Sequence, residues 1–262
     1  MTVALDKTII YPDSDGQPMA DNTKQFRWIV LIKENLDSLF ANDDTVFVAG
    51  DLLWYPVEGR PDIRVAPDVL VVFGRPKGDR GSYRQWQEDN IAPQVVFEIL
   101  SPGNTLKEMS RKLLFYNRYD VEEYYIYNPD SNELMGFTRA NEELISIENM
   151  DHWLSPRLGI RFELTASTLN IYDHQGNLFL SPLELRKSLE QEKQRAEQEK
   201  KQAEQEKQRA EQEKKRAEQE KQRAEQEKQR AEQEKQRAEQ EKQRADKLAE
   251  KLRALGVNLD EI

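Results

Sequence analysis

The spacing of apolar residues along the first two thirds of the chain switches between a helical and a strand period. Between Lys24 and Phe40, Ile29, Ile32, Leu36 and Leu39 recur with Trp28 and Leu31 beside them, which predicts an amphipathic helix with one buried face. Ala41-Asn42-Asp43-Asp44 stops it. Four runs of strand character follow: TVFVAGDLLWYP over 45–56, VAPDVLVVFG over 65–74, PQVVFEILSP over 93–102 and EYYIYNP over 123–129. They are rich in β-branched and aromatic residues and bounded mostly by Pro or Gly. VLVVF and VVFEIL are apolar at both parities, as strands covered on both faces are. Between the third and fourth runs a second helix, Thr105 to Tyr119, carries Leu106, Met109, Leu113 and Tyr116 on one stripe. Strand, helix, strand is the outline of a crossover between parallel strands. Residues 133–163 read as a meander ending in GIRFEL, and Gly176 marks a last turn.

The pattern then changes to a seven-residue repeat close to Ala-Glu-Gln-Glu-Lys-Gln-Arg, with Ala at 196, 203, 210, 217, 224, 231, 238 and 245. All its residues are strong helix formers. With Ala at the a position, Glu falls at d, so the repeat lacks the two apolar positions per heptad that a coiled coil buries. Glu197 with Lys200 and Lys200 with Glu204 are instead opposite charges at i,i+3 and i,i+4. A solvated single helix and an oligomeric coiled coil both remain open, and as a helix this segment would be about 100 Å long, enough for a spacer. The expected organisation is an irregular arm over 1–23, an α/β domain over 24–183, a charged helix over 184–255 ended by Gly256, and a tail over 256–262.

Composition sharpens this division. All four Trp and all nine Tyr lie in residues 1–183, so only that part can bury a sizeable core. The same segment holds 17 Lys and Arg against 28 Asp and Glu, a net of −11 that the whole-chain value of −10 nearly equals. Such a domain exerts no general pull on nucleic acid. There is no Cys and there are only two His, His152 and His174, which excludes disulfides and zinc–thiolate sites and leaves oxygen ligands for any metal. The sequence has neither a run long and apolar enough for a membrane helix nor a secretory leader, and a cytoplasmic location is the default expectation.

Two charges stand out against apolar surroundings. Asp68 follows Pro67 at the mouth of VLVVF, and Glu98 lies inside VVFEIL. A carboxylate there is costly to desolvate unless a cation, a donor or a cleft compensates. Two of them at the ends of neighbouring strands would make an oxygen-rich site suited to Mg²⁺ or Mn²⁺. The plainer alternative is that Asp68 caps a strand and Glu98 pairs with an arginine. A cation on Glu98's own strand face would sit at position 100, which is Leu. The next helix offers Lys107, Arg111 and Lys112, and Lys112 lies nearest its apolar stripe. A boundary lysine that merely snorkels over the core is the competing explanation. Tyr116 is expected to pack beside Lys112. The loop RPKGDRGSYRQWQ, with Arg75, Lys77, Arg80 and Arg84, is the one locally basic stretch and the candidate phosphate contact, unless it is simply solvated. Trp54, Tyr55, Trp86 and Trp153 could stack on bases or serve as packing.

The strings PDVLVVF, VVFEILSPGNT and RKLLFYNRYDVEEYYIYNP occur in an order and spacing that resemble the Uma-type restriction endonucleases of the PD-(D/E)XK nuclease superfamily, over about residues 10–175. The resemblance implies an α/β, restriction-endonuclease-like core with a mixed central sheet flanked by helices. It also implies a divalent metal, Mg²⁺ or Mn²⁺, on Asp68 and Glu98, and hydrolysis of DNA phosphodiesters. The lysine of the E-x-K signature is displaced onto the following helix in this family, which matches Leu100 and Lys112. Glu34 on the first helix is a further metal-site carboxylate by the same analogy, with an ordinary solvated charge as the alternative. Two positions depart from the family pattern: Asp120, where glycine is frequent, and Gln25, where histidine is. Against an active nuclease stands the acidic domain, which suits a non-catalytic interaction protein that assembles through its helix, or an accessory factor acting on DNA only within a complex.

Overall fold

A computed structural model describes residues 9–14, 16 and 18–254, with the backbone alone at 252 and 253. The expected stop at Gly256, the 256–262 tail and the first eight residues of the arm lie outside the described residues. The chain divides into two compact units, Met1–Lys187 and Ser188–Ile262.

In the first unit, α1 (Thr23–Leu39) begins at Asn22, whose side chain accepts the N–H groups of Lys24 and Gln25, satisfying two of the donors that a helix start leaves open. Ile29, Ile32 and Leu36 are its buried face. A six-stranded sheet runs in the order β1 (Val46–Gly50), β3 (Val69–Phe73), β5 (Val95–Ile99), β6 (Glu123–Asn128), β7 (Glu133–Ala140) and β8 (Glu143–Ser146). β5 and β6 are parallel and joined by α2 (Leu106–Arg118), and the other neighbours are antiparallel. The sheet is therefore mixed and carries the crossover that its sequence predicts.

The alternation of side chains sorts this sheet into two cores. Val69, Val71, Val95, Phe97 and Ile99 face α1 and the small hairpin of β9 (Arg161–Leu164) and β10 (Leu169–Tyr172). Leu70, Val72, Val96, Tyr124 and Ile126 face α2 and a parallel pair of short strands, β2 (Trp54–Tyr55) and β4 (Tyr83–Arg84). Burying each large aliphatic or aromatic side chain in these cores contributes about 1.5–3 kcal/mol.

Three details differ from the sequence reading. The run over 45–56 is two strands, because the chain turns at Asp51, whose φ is +50°, and leaves the main sheet for the pairing with β4. Leu106 is 89% exposed in the first turn of α2, and Met109, Leu113 and Tyr116, joined by Phe115, carry the contact. The 75–87 loop contains β4 and a 3₁₀ turn, Gln85–Gln87.

α3 runs unbroken over Pro182–Ala254. Its start is a capping box: Glu184 accepts from the backbone N–H of Ser181, and Ser181 Oγ accepts from the N–H of Glu184. Within the second unit, Lys201–Glu197 and Lys215–Glu211 are i,i+4 ion pairs at 3.2 and 3.1 Å. Among the described residues no helix is long and apolar enough to cross a membrane.

Candidate active site

The register of β3 on β5 brings the two unusual carboxylates together. Val69 lies opposite Phe97 and Leu70 opposite Val96. One further step sets Asp68 opposite Glu98, with both side chains on the α2 face. Asp68 Oδ2 accepts the Ile99 N–H at 2.6 Å, which fixes that carboxylate to the end of β5. Glu98 is 2% exposed. Its Oε2 accepts from Lys112 Nζ at 2.7 Å and its Oε1 from the Tyr116 hydroxyl at 2.5 Å. Lys112 and Tyr116 are one helical turn apart, so α2 presents both donors to one carboxylate.

The electrostatics follow from burial. Desolvation, reinforced by the charge of Glu98, pushes the Asp68 carboxyl well above its usual range, and the pull of Lys112 does not offset this. Lys112 is drawn down by its own desolvation, but Glu98 and Asp68 outweigh that and hold the ammonium above the ordinary lysine value. Burial and Glu98 likewise raise the Tyr116 phenol, which stays a donor. Beside it, ring centroids 4.8 Å apart, stands Tyr124. Its hydroxyl is buried with no hydrogen-bond partner among the described residues.

Asp68 and Lys112 open onto a cleft of about 760 Å³. Asp51, Glu108, Gln25 and Asn104 also line it, and residues 18–22 and 102–104 form walls. Gln25 is the contribution of α1: its Nε2 donates to the Ile99 carbonyl at 2.8 Å and its Oε1 accepts from the Asp21 N–H at 2.8 Å. Ser101 Oγ donates to Asp21 at 2.5 Å and ties the two walls to each other.

Of the candidate catalytic, metal-site and phosphate-contacting residues read from the sequence, Asp68, Glu98 and Lys112 converge and the others do not. Glu34 is paired with Lys33 at 3.1 Å, half exposed. It lines no part of the cleft, because it lies nine residues, about 13 Å, further along α1 than Gln25, which does. The basic loop is not a free patch. Arg75 and Arg80 both bond Glu88, at 2.9 and 2.7 Å, and Arg80 also stacks over Phe47. Lys77 donates to the carbonyls of Phe40 and Ala41, and Arg84 reaches Ser82 and Tyr11. Trp54 and Tyr55 are fully buried, Trp86 packs on Tyr11, and Trp153 donates to the Tyr125 hydroxyl. These aromatics are engaged in packing. Sequence reasoning missed Tyr116 as a partner of Glu98, although its i+4 spacing from Lys112 was the available signal, and it missed Gln25, for which a polar side chain on the buried stripe of α1 was the clue.

Among the described residues no group of three or more His, Cys, Asp or Glu converges as a ready ligand set. The chemistry of the carboxylate pair nevertheless fits Mg²⁺ or Mn²⁺, since Mg²⁺ is commonly held by one or two carboxylates, with waters and substrate phosphate completing its shell. Burial first, and the charge of Glu98 second, raise the Asp68 carboxyl, and a cation on the pair would oppose both.

No match is found among curated proteins. Among solved structures, the chain resembles "a putative nuclease belonging to DUF820" from Anabaena variabilis, with 16% identity, a TM-score of 0.39, and 53% of this chain and 74% of that one covered. The model of the Uma2 family, described as "Putative restriction endonuclease", matches residues 14–170. That match spans more than half of the 262 residues, and the chain belongs to the Uma2 family.

Proposed function

We propose that the protein is a Mg²⁺- or Mn²⁺-dependent nuclease that hydrolyses phosphodiester bonds of DNA, with Asp68 and Glu98 as metal-holding carboxylates and Lys112 as the catalytic cation. The observation that carries this reading is the convergence of Asp68, just before β3, Glu98 on β5 and Lys112 on α2, with Asp68 and Lys112 opening onto one cleft. A divalent cation on the carboxylates supplies the Lewis acidity that polarises a phosphodiester oxygen. Lys112 remains charged at physiological pH, and from the cleft wall it can donate to a phosphate oxygen as negative charge builds there. The Tyr116 hydroxyl and the Ile99 N–H hold the two carboxylates in place. Gln25 braces Ile99 from the other face of the sheet.

The test is cleavage of supercoiled and single-stranded DNA with Mg²⁺ or Mn²⁺. Asp68→Ala, Glu98→Ala and Lys112→Met are each expected to lose about 100-fold or more. A second reading is favoured by one observation: the first unit is acidic and its loop arginines are spent on Glu88. In that reading the domain is an inactive nuclease fold that assembles, as a homo-oligomer or with partners, through α3. Absence of cleavage by the parent with either metal would decide for it.

A further inference from the structure

We propose that Lys112 is the resting counter-cation of the carboxylate pair, and that a divalent ion enters by taking its place on Glu98 and releasing the ammonium into the cleft. The inference rests on the nuclease reading and concerns how that site is loaded.

Both oxygens of Glu98 are already engaged. Oε2 accepts from Lys112 at 2.7 Å and Oε1 from Tyr116 at 2.5 Å. Glu98 is 2% exposed, so solvent offers no easy detour to it. A divalent ion on this carboxylate would stand against the ammonium as a like charge in a poorly solvated place, so that sharing Oε2 would set two cations in direct repulsion. The charges agree: two carboxylates against one ammonium leave the pair one positive charge short. A divalent ion in place of Lys112 closes that deficit.

The protein provides for both groups after the exchange. Tyr116 keeps its bond to Oε1 and stops the Glu98 carboxylate from swinging once Lys112 departs. Lys112 already lines the cleft with its side chain 19% exposed, and Glu108, one turn back on α2, lines the same cleft. The freed ammonium can move toward that carboxylate, an i,i+4 neighbour, and toward an incoming phosphodiester. Binding of metal and of substrate is then coupled: without the ion, Lys112 is committed to Glu98, and with it Lys112 is available to phosphate.

The decisive measurement is isothermal titration of Mn²⁺ and of Mg²⁺ into the full chain at one pH and ionic strength, without nucleic acid. The parent is compared with Lys112→Met, Lys112→Gln and Lys112→Arg, each checked for folding by circular dichroism. Removal of the competing cation is expected to tighten metal binding about tenfold, equivalent to about 1.4 kcal/mol, in both neutral variants. The arginine variant, which keeps the charge, is expected to bind no tighter than the parent. Equal or weaker binding by the folded neutral variants, with metal binding by the parent intact, would overturn the exchange and leave the nuclease reading standing. Failure of every chain to bind either ion would overturn the metal-dependent reading itself, and this inference with it.

Discussion

Replacing Glu88 by Gln asks whether the arginines of the 75–87 loop are structural. Glu88 accepts from both Arg75 and Arg80, and all three side chains are only 13–15% exposed. Its own desolvation opposes ionisation, but the hydrogen bonds from Arg80 and Arg75 prevail and hold the carboxyl below its usual value. A depressed folded-state value means that the stabilisation is present above the unfolded value near pH 4 and is lost as pH falls through the folded one. Glu88→Gln is therefore expected to cost about 2 kcal/mol at pH 7 and progressively less below pH 4, read from urea midpoints across that range. Asp120 gives a second case. It follows the C-cap Tyr119 with φ at +63°, while the Val121 N–H returns to the Tyr116 carbonyl. This left-handed position suits glycine, and Asp120→Gly is expected to stabilise the fold by up to about 1 kcal/mol in the same assay. At this scale the sequence was legible where a residue conflicted with its surroundings. Asp68, Glu98 and Lys112 stood out because buried charge needs compensation. Glu34 falls outside the cleft because analogy names a helix and is silent on which of its turns reaches the site. The pairing of Arg75 and Arg80 was not legible because their partners, Glu88 and Asp89, belong to the following turn.

Elements with a single strong period were the easiest to read: α1, β3, β5, α2 and β6 all lie where apolar spacing predicts them. The breaks were harder. Nothing apolar distinguishes Gly50 from Leu52, yet the chain changes sheets there, because β2 finds its partner in β4 rather than in β3. The start of α3 was written into the sequence more plainly than the heptads suggested, since Ser181-Pro182-Leu183-Glu184 combines a capping box with proline in the first helical position. Beyond it, the described side chains from Ser188 to Asp246 have few contacts other than charge pairs such as Lys201–Glu197. Pairs of that kind contribute about 0.2–0.5 kcal/mol each and are screened by salt. The helicity of a peptide spanning 188–254 is accordingly expected to fall between low ionic strength and about 1 M NaCl, where the Debye length is about 3 Å. Circular dichroism at 222 nm measures this, and unchanged helicity would show that residue propensity alone maintains the helix.

At the scale of the molecule, fold class was readable because two opposite faces of one sheet must each be covered, and the sequence supplies a helix for each. The pairing of the 161–164 and 169–172 strands, and the short parallel pair of β2 and β4, were not, because strands of two to four residues carry almost no period. The acidic balance of the first unit has a consequence for any nucleic-acid contact: neutralisation has to come from bound cations more than from a basic surface. The repeat of α3 carries a different kind of freedom. The heptads of α3 from Ala196 to Arg244 are nearly interchangeable, and none carries a residue that the others lack in kind. Losing or duplicating one such unit would leave the capping box and the charge ladder untouched, shorten or lengthen the helix by about 10 Å, and turn whatever lies beyond it by about 20°. α3 is in that sense a graduated ruler, adjustable over generations by slippage of a repetitive coding sequence without any change to the chemistry of the cleft.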